Sequence, residues 1–313
     1  MAEFIKNFQD INKKDIAASG GKGANLGELI KAGILVPPGF VISASAFERF
    51  LKETDINVEV NAMWKRINIK DIESVEENSE IIRALIIKAE MPKDVDKEVF
   101  DAFNKLKAKY VAVRSSATAE DSKIDSWAGQ LETYLNTSPK KLIENIKKCW
   151  ASLYAPRALF YRAKRGLKRK KVSVAVVIQK MIQSEVSGVC FTTHPVTKDK
   201  NQMVIEAAWG LGEILVSGQI TPDTYVIEKN TLNILDINKN LQRRMIIHAK
   251  EGNKITAVSE TKKNKQKLSI NQIKKLTKIC LKVENHYKNS QDVEWAIENN
   301  KFYIVQTRPI TTL

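Results

Sequence analysis

The stretch "DVEWAIENNKFYIVQTRP", residues 292–309, constrains the fold more than any other. Two apolar-rich runs flank Asn299-Asn300, residues that tolerate the left-handed backbone of a tight turn, so the runs are expected to pair as an antiparallel hairpin. Glu294, Gln306 and Arg308 interrupt the apolar pattern. Loop length decides what they face. A two-residue loop, Asn299-Asn300, sets Glu294 opposite Val305. A three-residue loop, Asn299 to Lys301, sets Glu294 opposite Gln306 and Asp292 opposite Arg308. Only the longer loop puts a carboxylate beside an amide oxygen, where the two could bind one hard divalent cation such as Mg²⁺. Arg308 then lies one pleat farther along the same face, near any phosphate the metal holds. The competing reading is an edge hairpin with ordinary solvated polar residues.

The preceding chain mixes helix and strand signals irregularly. "SGGKGANLGELIKAGILVPPGFVISASAFERFL" reads as a Gly-rich loop, a helix near 24–32, a Pro-Pro-Gly break, a short strand and a second helix. "YVAVRSSA" reads as a buried strand entering a polar loop. "SPKKLIENIKKCWASLYAPRALFYRAKRGL" reads as a long helical stretch bent at Pro156. "VSVAVVIQKMI" and "SGVCFTTHP" look like strands, and "SINQIKKLTKICLKVENHY" like a helix with Ser269 as N-cap. The 313 residues suffice for two ordinary domains or one bilobed one. We expect an α+β fold with a first lobe over 1–180, carrying the Gly-rich Lys loop, Arg strand and flap. The second lobe, 181–313, carries a further Gly-rich loop and the closing hairpin.

Net charge is +15, and part of it sits in "RAKRGLKRKK" at 162–171 and "KKNKQK" at 262–267. Neither cluster is interleaved with several aromatics for base stacking, so they read as solvated surface and nucleic acid is not expected as a partner. Such a charge also suits polyanionic small molecules such as nucleotides. No apolar run approaches the ~20 residues that span a bilayer. Cys149, Cys190 and Cys280 are odd in number and widely spaced, which suits a reduced cytoplasm without disulfides or a thiolate metal site.

Two further segments hold candidate chemistry. Lys22 sits among Gly20, Gly21 and Gly23 just before a helix, where backbone N–H groups can approach an anion. The alternative is a tight turn with a solvated lysine. The known nucleotide patterns do not fit, since there is no GxxxxGK[ST] and Gly21-Gly23-Gly27 misses GxGxxG by one residue. Arg114 follows an apolar strand, where a charge is costly unless paired, so it is expected to meet an anion or a carboxylate such as Glu120 or Asp121. The polar, Gly-containing loop after it, ending near Thr133, suits a lid. His194, His248 and His286 have no Cys or His partner at metal spacing.

Taken together and in order, "GGKGANLGEL", "VPPGFVIS", "VAVRSSATAED", "WAGQLETYLN", "VVIQKMI", "SGVCFTTHPVT", "AAWGLGEILVSGQITPDTY", "DVEWAI" and "VQTRPIT" resemble the N-terminal nucleotide-binding domain of the phosphoenolpyruvate synthase and pyruvate phosphate dikinase family, of which rifampicin phosphotransferase is a relative. The resemblance covers nearly the whole chain. It implies a bilobed ATP-grasp fold with ATP held between lobes, and an ATP-dependent phosphotransferase of the dikinase type. Lys22 and Arg114 would contact the phosphates, with Gly129, Gln130 and the residues to Thr133 as a flap over them. Gln179, Lys180 and Met181 would lie on the interlobe strand beside adenine. Glu294 and Gln306 would bind Mg²⁺, and Arg308 would act on the transferred phosphate. The longer hairpin loop agrees with this set.

In the family this domain precedes one with a phosphorylatable histidine and another that binds pyruvate or a different acceptor. The sequence reaches "TRPITTL" where the family's first domain would end, so the carrier histidine and the acceptor site are expected on a separate domain or chain. His194 stands where related sequences often carry Asp or Asn, and is not read as the carrier. Competing readings are a stand-alone ATP-grasp ligase that activates a carboxylate, and a nucleotide-sensing module without turnover.

Overall fold

Residues 4–118, 127, 129–167, 172–250 and 252–310 are described in a computed structural model of the chain. They fall into two units, Met1–Gly27 with Pro38–Met181, and Glu28–Pro37 with Ile182–Leu313. Each is a mixture of helix and antiparallel sheet.

The first unit is built on strands β1 (Ile5–Asn7), β2 (Gly39–Ile42), β3 (Val111–Ala117), β4 (Thr133–Thr137) and β5 (Val174–Lys180), in the order β1-β2-β5-β3-β4. Strand alternation gives the sheet two unlike faces. Phe40, Ile42, Val111, Val113, Val174, Val176 and Ile178 enter the hydrophobic core. The other face carries Gly39, Ala112, Arg114, Ser116, Val177 and Gln179. The core side is closed by helices α2 (Ala44–Glu53), α3 (Ile56–Arg66), α4 (Ile72–Lys88), α5 (Lys93–Leu106), α6 (Leu142–Ala151) and α7 (Pro156–Lys164), which follow α1 (Ile16–Lys31) in the chain. Phe47 and Phe50 of α2 pack on the Trp150 ring of α6, with centroids 5.3 and 5.0 Å apart. The expected bent helix through Pro156 is instead two helices. Ala155 is extended, at φ −62° and ψ 145°, as the residue before proline prefers, and Pro156 opens α7 where its missing N–H costs nothing.

The second unit is a six-stranded antiparallel sheet in the order β13-β12-β6-β7-β8-β9. Its strands are β6 (Val186–Phe191), β7 (Gln202–Trp209), β8 (Asp223–Glu228), β9 (Ile234–Asn238), β12 (Gln291–Glu298) and β13 (Lys301–Pro309), and β10 (Arg244–His248) with β11 (Asn253–Ala257) forms a separate ribbon. Of its helices α8 (Glu213–Val216), α9 (Glu260–Lys263) and α10 (Ile270–Tyr287), the last is longest. A capping box starts it: Ser269 Oγ accepts from Gln272 N–H, and the Gln272 side chain accepts from Ser269 N–H. α10 covers the sheet face that carries Cys190, Val293 and Trp295, with Cys280 against Cys190. Burial pushes the Cys190 thiol well above its ordinary range.

The basic clusters are not simply solvated. Arg162 is 5% exposed and lies over the Trp64 ring at 4.2 Å. Lys267 is buried with its ammonium 2.7 Å from the buried Asp223 carboxylate. Lys168, Arg169, Lys170 and Lys171 lie outside the described residues. Among the described residues, no helix is long and apolar enough to cross a membrane.

Candidate active site

In the first unit, α1 begins at Ile16, eight residues before the start expected from sequence, and is broken inside the Gly-rich loop. Gly20 has φ 65° and ψ 173°, outside helical space, and the helix that carries Lys22 restarts after it. A Cβ on Gly20 would stand 2.2 Å from Ser116 Oγ and 2.3 Å from Ser116 O, so both the backbone angle and the close approach require glycine. Ser116, on β3, fixes the restart. Its hydroxyl donates to Ser19 O at 2.9 Å and accepts from Gly23 N–H at 3.3 Å. Sequence reasoning missed Ser116, because a serine in "RSSA" carries no signal of what it reaches. Lys22 is half-buried on the first turn after the break.

Arg114 stands two residues before Ser116 on the same face and is 8% exposed. It pairs in register with Thr133 on one side and Val177 on the other, which brings the end of the flap segment beside it. Its Nη1–H donates to Gln179 Oε1 at 3.0 Å. The carboxylates expected as alternative partners, Glu120 and Asp121, lie outside the described residues. Gly129 is exposed with φ 70° and nothing near its Cβ position. Gln130 N–H donates to Trp127 O, and Gln130 O accepts from Arg157 Nε–H. The end of this segment is firmly held: Ser115 N–H and Oγ–H both donate to Glu132 O, and the Glu132 carboxylate takes Arg83 at 3.2 Å. Gln179 is buried, Lys180 exposed and Met181 half-buried. The Lys180 and Met181 N–H groups donate to Pro38 O and Tyr110 O.

In the second unit the hairpin departs from both sequence alternatives. The loop is the two-residue one: Glu298 pairs with Lys301, and Asn299 and Asn300 have φ of 50° and 57°. The three-residue loop is therefore wrong. Its consequence is nonetheless realised, because a β-bulge leaves Val305 unmatched between the Trp295–Ile304 and Glu294–Gln306 pairs. Beyond the bulge Glu294 faces Gln306 and Asp292 faces Arg308, all on one face of the sheet. Arg308 donates from Nε at 2.8 Å and from Nη2 at 2.7 Å to a single oxygen, Asp292 Oδ2. Asp292 is 7% exposed, and its Oδ1 is buried without a hydrogen-bond partner among the described residues. Burial raises the Asp292 pKa, and the Arg308 charge opposes that.

Register also places Glu206 on this face. Glu206 pairs with Val189, and Val189 with Glu294. Burial raises the Glu206 carboxyl above its ordinary range, and the Asp292 charge adds to it. Neither Asp292 nor Glu206 was singled out as a site residue from sequence. Asp292 could have been, since the register that pairs Glu294 with Gln306 also pairs it with Arg308.

Among the described residues no three His, Cys, Asp or Glu side chains cluster at metal-binding spacing. Glu294 and Gln306 offer a carboxylate and an amide oxygen side by side, which fits a Mg²⁺ whose other ligands are phosphate oxygens and water.

The family described as pyruvate phosphate dikinase, AMP/ATP-binding domain, matches residues 16–313. The chain belongs to this family. Similar proteins include a probable phosphoenolpyruvate synthase of Archaeoglobus fulgidus, 46% identical over 97% of this chain and 41% of its own length. Another, from Methanocaldococcus jannaschii, is 43% identical over 99% of this chain and 27% of its own. The phosphoenolpyruvate synthase of Pyrococcus furiosus is 39% identical over 99% of this chain and 44% of its own. The chain thus spans less than half the length of each of these relatives. A solved D-alanine-D-alanine ligase from Helicobacter pylori overlaps 70% of this chain and 46% of its own at 14% identity, with a TM-score of 0.33, too slight a likeness to bear on function.

Proposed function

We propose that this chain is the Mg-ATP-dependent phosphotransfer module, of ATP-grasp type, of a phosphoenolpyruvate synthase-like enzyme. It passes phosphate from ATP to a histidine on a separate domain or chain. The observation that carries this reading is the Val305 bulge, which brings the Glu294–Gln306 and Asp292–Arg308 pairs onto one face.

In this reading Lys22 and Arg114 hold the phosphates, Gly129 to Thr133 close over them, and the end of β5 lies along the nucleotide. Glu294 and Gln306 would hold Mg²⁺, which would supply positive charge to offset that of the phosphates. Arg308 acts on the group in transit. Phosphoryl transfer is mostly positioning and electrostatic stabilisation, so a cation on each phosphate and a dry frame are the main requirements. AMP leaves, one phosphoryl group stays on the carrier histidine and the other is released as phosphate, with water consumed. The chain's own histidines support a carrier elsewhere. His194 Nδ1 accepts from the N–H groups of Val196 and Thr197, and His286 pairs with Glu28 at 2.9 Å. Both are tied into local structure, whereas a carrier must swing between sites. The additional length of the relatives is where a carrier and an acceptor site are proposed to lie.

Two variants test the phosphate contacts. Lys22→Ala and Arg114→Ala are each expected to weaken Mg-ATP binding about tenfold or more, the worth of a hydrogen bond to a charged group. Lys22→Ala should leave the apo thermal midpoint unchanged. Calorimetry showing wild-type affinity in both variants would refute the reading. Glu294→Ala is expected to abolish the Mg²⁺ dependence of ATP binding. The check is an ATP titration with and without Mg²⁺, and an undiminished Mg²⁺ effect would remove Glu294 from the metal site.

A further inference from the structure

We propose that Ser116 is a positioning residue for Lys22: from β3 its hydroxyl caps the helical turn that carries Lys22 and so holds that turn in register with Arg114. This rests on the ATP reading above, in which Lys22 holds a phosphate, and adds to it a residue that acts through Lys22.

The sequence around Lys22 favours a helical turn only weakly. Glycine fills positions 20, 21 and 23, and glycine suits a helix less than any residue but proline. Gly20, at φ 65° and ψ 173°, is the non-helical residue at the restart. It stands as the N-cap, with Gly21, Lys22 and Gly23 as the first three helical positions. An N-cap side chain ordinarily accepts from the N–H of the second or third position. Gly20 has no side chain to do so, and none fits, since a Cβ there would stand 2.2 Å from Ser116 Oγ.

Ser116 takes the place of that missing side chain. Its Oγ accepts from Gly23 N–H, the third-position donor, at 3.3 Å. Its own proton goes to Ser19 O at 2.9 Å, on the other side of the break, so one hydroxyl ties together both halves of α1. Ser116 and Ser19 are both fully buried, which keeps water from competing for these bonds. A cap supplied from β3 does what a local serine could not, because it fixes the turn to another element. Arg114 lies two residues earlier on that strand and on the same face, about 7 Å along it. The backbone at Lys22 is thereby referenced to the strand that carries Arg114, and a polyphosphate meets two cations whose spacing is set before it binds.

The test is a double-mutant cycle on Mg-ATP affinity, measured by calorimetry on the wild-type chain, Ser116→Ala, Lys22→Ala and the double variant. Ser116→Ala is expected to weaken binding about fivefold, the worth of an N-cap, and Lys22→Ala about tenfold or more. The double variant should bind no more weakly than Lys22→Ala alone, because a residue that acts through Lys22 then has nothing left to position. A residue that only supports the fold would weaken binding equally in both backgrounds, and the two losses would multiply. Multiplied losses, or wild-type affinity in Ser116→Ala, overturn the assignment. A second measurement needs no variant and stands even if one fails to fold. In wild-type chain labelled with ¹⁵N, the Gly23 amide is expected to exchange slowly with solvent, and free exchange there overturns the cap. Lys22→Ala with wild-type affinity is a different failure: it removes Lys22 from the phosphates in the functional reading, and this assignment falls with it.

Discussion

Asp223→Ala is expected to destabilise the second unit by about 3–5 kcal/mol, the cost of leaving a buried charge without its partner. The Asp223 carboxylate is wholly buried and accepts four hydrogen bonds. Tyr225 Oη–H and Lys267 N–H donate to Oδ2, each at 2.9 Å, and Asn240 N–H at 2.8 Å and Lys267 Nζ at 2.7 Å donate to Oδ1. Lys267 Nζ also donates to Asn240 O, and Leu268 N–H donates to Tyr225 Oη. One carboxylate thus ties β8 to the segment before β10 and to the start of α10. In the alanine variant the Lys267 ammonium remains at 0% side-chain exposure with only a carbonyl to face. The measurement is urea unfolding followed by the fluorescence of Trp209 and Trp295, both in this unit. Lys267→Met combined with Asp223→Leu should recover much of the loss, because replacing a buried pair by apolar groups of similar size is often neutral. A loss under about 1 kcal/mol in Asp223→Ala would mean that the pair is not dry.

That network marks where the sequence stopped being readable. Lys267 closes the run "KKNKQK", which composition assigns to the surface, and nothing in the run distinguishes it from Lys265. The distinction lies in a partner 44 residues away. The long, strongly patterned elements were legible, because their signals are local: β3 and β5 as apolar runs, α10 with its Ser269 cap, and the β12–β13 hairpin with its Asn-Asn turn. Strands β9, β10 and β11 were not. "ILDIN", "RMIIH" and "NKITA" are only five residues each, half-buried to exposed for the most part, and too short for a long apolar run or a clean alternation to mark them. The site shows the same limit. Lys22, Arg114, Glu294, Gln306 and Arg308 stood out because each is polar where its surroundings are not, or cationic among glycines. Ser116 did not, since its role depends on a helix start 97 residues earlier. The bulge at Val305 was hidden for a different reason. A register shift changes which residues face each other without changing composition, so the right pairing could be reached through the wrong loop.

Arg308→Ala is expected to lower the rate of AMP formation by a factor of about 10² to 10³, about 2.7–4 kcal/mol of transition-state stabilisation, while Mg-ATP binding changes far less. The assay supplies the additional length of one of the longer relatives, where the carrier histidine is proposed to lie, and follows labelled ATP to AMP. The asymmetry between rate and binding follows from what Arg308 is placed to do. Its guanidinium is not stretched into the site but held at its base by Asp292 Oδ2 through both Nε and Nη2, with the side chain still 39% exposed. A cation fixed in that way is spared the entropy of being ordered during the reaction, and its field is aimed before charge develops on the phosphate in transit. Lysine at this position would keep the charge but lose the planar fork that lets one end be held while the other works, so Arg308→Lys should recover little. The variant has a side effect that must be separated. Without Arg308, the influence that holds the Asp292 pKa down is gone, and burial raises it further. A carboxyl whose folded-state pKa is raised favours the folded state at low pH and loses that contribution as pH rises, so Arg308→Ala should be less stable at about pH 8 than at about pH 5 relative to wild type. Adding Asp292→Asn removes that charge, and the double variant should regain stability at the higher pH without regaining rate. Recovery of rate together with stability would mean that Arg308 only neutralises Asp292, and the catalytic role would have to be given up.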